Sequence, residues 1–140
     1  MKFIYALLIP FITISCVNQQ KTTQAADGYV TTASGLRYTI LQKGSGATAK
    51  EGQEVLIFET TSYLDGTVLY SNENSTTPVK VLIGGHQATD GVDEGLRGMQ
   101  VGEVRRLIAA PALVKRKFYP PNVSPDSTLA IKIILHKILQ

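Results

Sequence analysis

From residue 36 onward, apolar and polar positions alternate with a period near two. In "GLRYTILQ", Leu36, Tyr38 and Ile40 stand against Arg37, Thr39 and Gln42, the pattern of a strand with one face on a core. The loop "KGSGATAKEG" separates it from a longer strand at 53–63, "QEVLIFETTSY", enriched in β-branched and aromatic residues. Leu64-Asp65-Gly66-Thr67 is a hairpin turn signal, and "VLYS" brings the chain back. Beyond the loop "NENSTTP", the stretches "VKVLIG" (79–84) and "GEVRRLIAAP" (102–111) are strands. The loop "ALVKRKFYPPNVSPDS" follows, and the tail "TLAIKIILHKIL" (128–139) is apolar on both faces, as a central strand must be.

One stretch departs from this period. Across 90–98, Asp90 is placed to cap a helix, Asp93 and Glu94 fall in its first turn, Arg97 in its last, and Gly98 suits the left-handed position after it. Val92, Leu96 and Met99 share a face, which predicts a two-turn helix laid on a sheet. The expected class is α+β: a mostly antiparallel sheet of five or six strands wrapped on one short helix.

The first residues change the picture of where the domain sits. "MKFIYALLIPFITISC" carries one Lys and an apolar run from Phe3 to Ile14, too short to span a bilayer comfortably and shaped like a signal peptide. Cys16 is the chain's only cysteine, so an intrachain disulfide is excluded. Thr13-Ile14-Ser15-Cys16 resembles the lipobox of bacterial lipoproteins. That resemblance implies lipidation of Cys16 and attachment to a membrane surface of the bacterial cell envelope, facing the periplasm or the exterior. Residues 17–33 are polar, rich in Thr and Gln and without sustained period, and are read as a tether of on the order of 20–25 Å. The expected organisation is a signal peptide at 1–15, a lipidated Cys and flexible tether at 16–34, and one domain at 35–140 that folds without help from the tether.

Composition narrows the chemistry. With 140 residues, a formal charge of +3 and cations dispersed except in "VKRKF" (114–118), the chain suits one small domain, expected to be monomeric, and no nucleic-acid partner. His86 and His136 are the only histidines, and no metal-ligand spacing or G-x-S-x-G occurs, so neither a metal, a cofactor nor acyl-transfer chemistry is expected.

Four motifs within 35–140 carry a more specific reading: Tyr63-Leu64-Asp65-Gly66-Thr67, Leu82-Ile83-Gly84-Gly85, Glu94-Gly95-Leu96 through Met99-Gln100-Val101-Gly102-Glu103, and Pro125-Asp126-Ser127-Thr128-Leu129. Together, with an edge strand ending in Pro111, they are similar to an FKBP-type peptidyl-prolyl cis-trans isomerase domain. The resemblance implies rotation of X-Pro bonds in proline-containing exported polypeptides. That reaction breaks no covalent bond but must overcome about 18–20 kcal/mol of amide resonance, so it needs a dry pocket and a hydrogen-bond donor more than nucleophiles.

Carried over position by position, the resemblance implies substrate-binding positions at Glu59, Leu69, Tyr70, Val79, Ala88, Val92, Lys115 and Ile131. It assigns hydrogen bonding of the substrate to the Thr89 backbone N–H and to Tyr119. Glu59, Val79, Val92, Lys115 and Ile131 stand where the family sets aromatic rings, and the chain has no Trp. Two readings follow: a weak isomerase, or a non-catalytic binding or chaperone module with a re-purposed cleft. At residue level, Leu69, Val79, Val81, Val92 and Ile131 also read as ordinary core. Glu59 reads either as a solvated edge residue or as a polar group in the pocket.

Overall fold

The computed structural model describes residues 23–139; the signal-like run, Cys16 and the chain up to residue 22 lie outside the described residues. Eight strands and one helix follow in order: β1 (Thr23–Gln24), β2 (Val30–Thr31), β3 (Arg37–Gln42), β4 (Glu54–Tyr63), β5 (Val68–Ser71), β6 (Val79–Leu82), α1 (Asp90–Leu96), β7 (Val104–Ala109) and β8 (Leu129–Ile138). Every pairing is antiparallel, in the order β1-β2-β3-β7-β8-β4-β5, with β6 also on β4. The α+β class is as expected, and the sheet is two strands larger.

The additional strands come from the segment read as a tether. β2 pairs with β3 through Val30↔Tyr38 and Thr31↔Arg37, Arg37 forms an ion pair with Asp27, and its guanidinium lies 4.8 Å from the Tyr29 ring centroid. Polar composition concealed this, because two-residue strands on a sheet edge are held by backbone hydrogen bonds and one aromatic contact and need no apolar run. β7 is a second correction: it lies between β3 and β8 and is not an edge strand. A third is Ile40, which is 45% exposed although it shares parity with the buried Leu36; the pairing of β3 with β7 shifts register just after it.

β8 is central, as its two apolar faces require, and Leu129, Ile131, Ile133 and Leu135 on one face are buried. Beside it β4 meets two strands along its other edge: β5 against Thr60, Thr61 and Ser62, and β6 against Glu54 through Ile57. Between them the residue 72–78 loop leaves the sheet, and Asn72 fills the gap. Its Oδ1 accepts the Glu59 N–H at 2.7 Å and its own N–H donates to the Glu59 carbonyl at 3.1 Å. The β4 backbone stays satisfied where neither strand reaches it.

Helix α1 crosses the core face of the sheet with Val92, Leu96 and the following Met99 buried. Its glycines explain its closeness: a Cβ at Gly91 would stand 3.3 Å from Ala109 Cβ, and one at Gly95 would stand 2.5 Å from Leu107 Cδ1. Gly98 takes φ 77 just past the helix end, as expected. The start differs from expectation. Asp90 is the first helical residue, and the cap position belongs to Thr89, whose side chain makes no capping hydrogen bond. Asp93 is buried, accepting the Gly84 N–H at 2.7 Å and pairing with Arg97 at 3.0 Å.

Candidate functional site

An open cleft of about 610 Å³ lies between the first turn of α1, β4, β6 and the loop after β7. Ile57 and Val92 form its floor, and Val79, Val81 and Ala88 line its sides. Val79 faces in from β6 because it pairs with Ile57 of β4, and the two side chains therefore share a sheet face. The cleft backs onto the buried core at Ile57, Val81 and Val92.

Thr89 joins this lining at the head of α1, where its carbonyl accepts the Asp93 N–H at 2.9 Å. Its own N–H meets no acceptor among the described residues. Its Oγ1 is buried without a hydrogen-bond partner. The N–H is left free for an acceptor held in the cleft, whereas the Oγ1 is sealed from solvent.

Glu59 projects into the same space. Along β4, Val55, Ile57 and Thr61 are buried on the helix-facing side, and Glu59 shares that parity. Burial pushes its carboxyl above the ordinary glutamate range, with the Arg116 charge partly offsetting this. It lines the cleft as a polar group, half-buried and with its backbone edge closed by Asn72.

Six of the sequence-derived positions therefore converge: Glu59, Val79, Ala88, Thr89, Val92 and Lys115. Four do not line the cleft. Ile131 is fully buried core, separated from solvent by the residues above it. Leu69 is half-buried against the core, and Tyr70 beside it is 45% exposed. Tyr119 turns its hydroxyl to accept the Arg116 N–H at 3.3 Å. It braces the loop and leaves the cleft wall to its neighbours.

Among the core readings, Val81, Val92 and Ile131 are buried, whereas Val79 is 38% exposed at the cleft mouth. Cleft residues missed as site residues from the sequence are Arg116, Lys117, Phe118, His86, Gln87, Asp90, Ile57, Lys80 and Val81, the last of which reads from the sequence as core. The run "VKRKF" is the available signal for the first three. The loop after β7 is tied to the sheet at its far end. The Tyr63 hydroxyl donates to the Asn122 carbonyl and accepts the Ser124 N–H, both at 2.9 Å, and Asn122 Nδ2 donates to the Leu69 carbonyl at 3.3 Å.

A second cavity of about 520 Å³ lies on the other side of α1, under the turn between β2 and β3. Most of its polar groups are already engaged. Ser34 Oγ donates to Glu94 at 2.6 Å, and Arg105, buried against Glu103 at 2.7 Å, donates to the Gly95 and Arg97 carbonyls. That network ties the helix end to the sheet and leaves the first cleft as the better place for chemistry.

Comparison with known proteins agrees with this geometry. Residues 45–136 match the sequence profile of the FKBP-type peptidyl-prolyl cis-trans isomerase family. The bovine peptidyl-prolyl cis-trans isomerase FKBP10 is 42% identical over 88 residues, covering 63% of this chain and 15% of that protein. The Drosophila melanogaster peptidyl-prolyl cis-trans isomerase Fkbp12 is 31% identical over 106 residues, 74% of this chain and 98% of that one. The crystal structure of FkpA from Escherichia coli superposes with a TM-score of 0.69 at 25% identity, over 79% of this chain and 51% of that one.

Proposed function

Since this chain belongs to the FKBP-type peptidyl-prolyl cis-trans isomerase family, we propose that it is a weak isomerase of X-Pro bonds in exported polypeptides, held to the cell envelope through a lipid on Cys16. The observation that carries the catalytic part is the unengaged Thr89 N–H beside the apolar Val92 floor of an open cleft.

The chemistry requires little more. When the prolyl amide twists, it loses conjugation, and its transition state is favoured by a pocket that excludes water and fits the twisted form. Ile57, Val79, Val81 and Val92 supply the apolar seat for the ring. The Thr89 N–H is placed at the cleft wall, where it can grip a substrate carbonyl and fix the bond about which the chain turns. No proton moves and no intermediate forms.

Weakness follows from the same residues. An aromatic wall buries about 150–250 Å², far more than Val79 or Val92 offers, and Glu59 sets a carboxyl where an apolar contact would hold the ring. That carboxyl is also what favours the second reading, a binding or chaperone module in which the cleft holds a segment without turning it. The anchoring part rests on the apolar run Phe3–Ile14 ahead of Cys16. Mass spectrometry of the mature N-terminus should find Cys16 acylated; an unmodified terminus elsewhere in the first 30 residues overturns the anchor.

The deciding assay is protease-free, reading cis-trans exchange of an X-Pro peptide by NMR. Measurable acceleration well below that of a relative with aromatic walls supports the isomerase, as does a further rise on Val92→Trp. No acceleration by the wild-type chain or by folded Val92→Trp establishes the binding module in its place.

A further inference from the structure

Rotating a prolyl bond does not require charge at the cleft mouth, yet three consecutive cations stand there. Lys115, Arg116 and Lys117 line the cleft and are exposed, and none of them forms an ion pair among the described residues. Lys80, the other cation of the cleft, is held by Glu54 at 3.1 Å. Phe118 follows at 87% exposure, an apolar side chain that would exclude water from whatever settled against the cations. The loop that carries them is pinned at Arg116 by Tyr119 and farther on by Tyr63 and Asn122. The backbone that carries the charges is therefore held on this side of the cleft.

The depth of the cleft carries the opposite sign. Glu59 lies inside, half-buried; the other acid of the lining, Asp90 at the start of α1, is exposed. An anionic group would gain at the rim and be repelled at the bottom, while an uncharged proline ring fits the Ile57 and Val92 floor. An extended segment advances about 3.3 Å per residue, so a side chain one or two residues from a seated proline emerges at the level of the long rim cations.

Resting on the isomerase reading above, we propose that Lys115, Arg116 and Lys117 make the cleft selective for X-Pro segments with Asp or Glu within two residues of the proline. Exposed charge pairs contribute modestly each and are screened by salt, so the selectivity is a preference and not an absolute requirement.

The test uses the full chain and a peptide series identical except for Glu, Ala or Lys placed before or after the X-Pro pair, with exchange followed by NMR at low and high salt. Glu peptides should be turned over about threefold to tenfold more efficiently than Ala peptides at low salt, and Lys peptides less efficiently. The differences should shrink at high salt, and Lys115→Glu/Arg116→Glu/Lys117→Glu should invert the order. Lys115→Gln/Lys117→Gln, with circular dichroism to confirm folding, replaces the triple variant if that does not fold. Equal rates for Glu and Lys peptides, or an order unchanged by the variants, overturn the proposal. If no peptide is turned over, the isomerase reading fails on its own, and chemical-shift titration of the same series decides the selectivity: Glu binding tighter than Lys sustains it, and equal binding refutes it. Loss of binding to anionic lipid vesicles in the variants, with peptide charge immaterial, would show that the patch faces a membrane and would likewise overturn it.

Discussion

Gly95 and Leu107 are in contact across the helix-sheet interface so closely that a Cβ on Gly95 would stand 2.5 Å from Leu107 Cδ1 and 2.9 Å from Cδ2. Leu107 is fully buried and has no free space to swing into. Gly95→Ala should therefore destabilise the domain by about 1–3 kcal/mol through overpacking, read as a fall in urea midpoint. Combining it with Leu107→Val should recover part of the loss. Gly98→Ala is the control: nothing lies within 4 Å of its Cβ, and its cost comes from φ 77 alone, so Leu107→Val should not relieve it.

Arg105 and Glu103 form an ion pair with both residues at most 5% exposed. Arg105 also donates to the Gly95 carbonyl at 3.0 Å and lies 4.5 Å from the Tyr38 ring centroid. Arg105→Met leaves the Glu103 charge buried without its partner, which should cost about 3–5 kcal/mol. Adding Glu103→Gln removes that charge while keeping an acceptor for the Gln100 N–H, now at 3.1 Å, and should restore part of the stability. Equal stability for the single and double variants would show that packing on Tyr38 matters more than charge.

Glu59 makes stability depend on pH. Burial raises its folded pKa above the ordinary value, so folding carries no penalty from this group when both states are protonated. The penalty grows as pH rises from about 4, the unfolded value, through the folded one. Glu59→Gln should then raise Tm at pH 7–8 and leave it nearly unchanged near pH 3.5. A gain of the same size at both pH values would show that charge is not its cause.

The N-terminal edge strands make a measurable contribution. A chain beginning at residue 34 lacks β1, β2, the Asp27–Arg37 ion pair and the Tyr29 contact with Arg37. Compared with a chain beginning at residue 23, it should be less stable by about 1–2 kcal/mol, a shift of several degrees in Tm. Identical melting would confine these residues to the role of a tether.

Periodicity and turn chemistry by themselves determined the main strands, the two-turn helix, the central place of β8 and the family resemblance, because each depends on neighbours in the chain. Alternation marks which face of β4 meets the core, and Asp65-Gly66 marks its hairpin. The resemblance, and not the periodicity, implied that Glu59, Val79, Ala88, Thr89, Val92 and Lys115 occupy positions from which one cleft can be built. Tertiary structure decided the rest. β1 and β2 exist only because β3 offers them an edge, and β7 became interior because that edge lies beyond it. Closing the β4 backbone at Glu59 fell to Asn72, 13 residues away, in place of a missing strand partner. Tyr119 left the cleft to brace Arg116, and Ile131 was buried in the middle of β8 between β4 and β7. Each of these outcomes turns on which distant backbone lies alongside a residue, and local pattern carries no information about that until the sheet has closed.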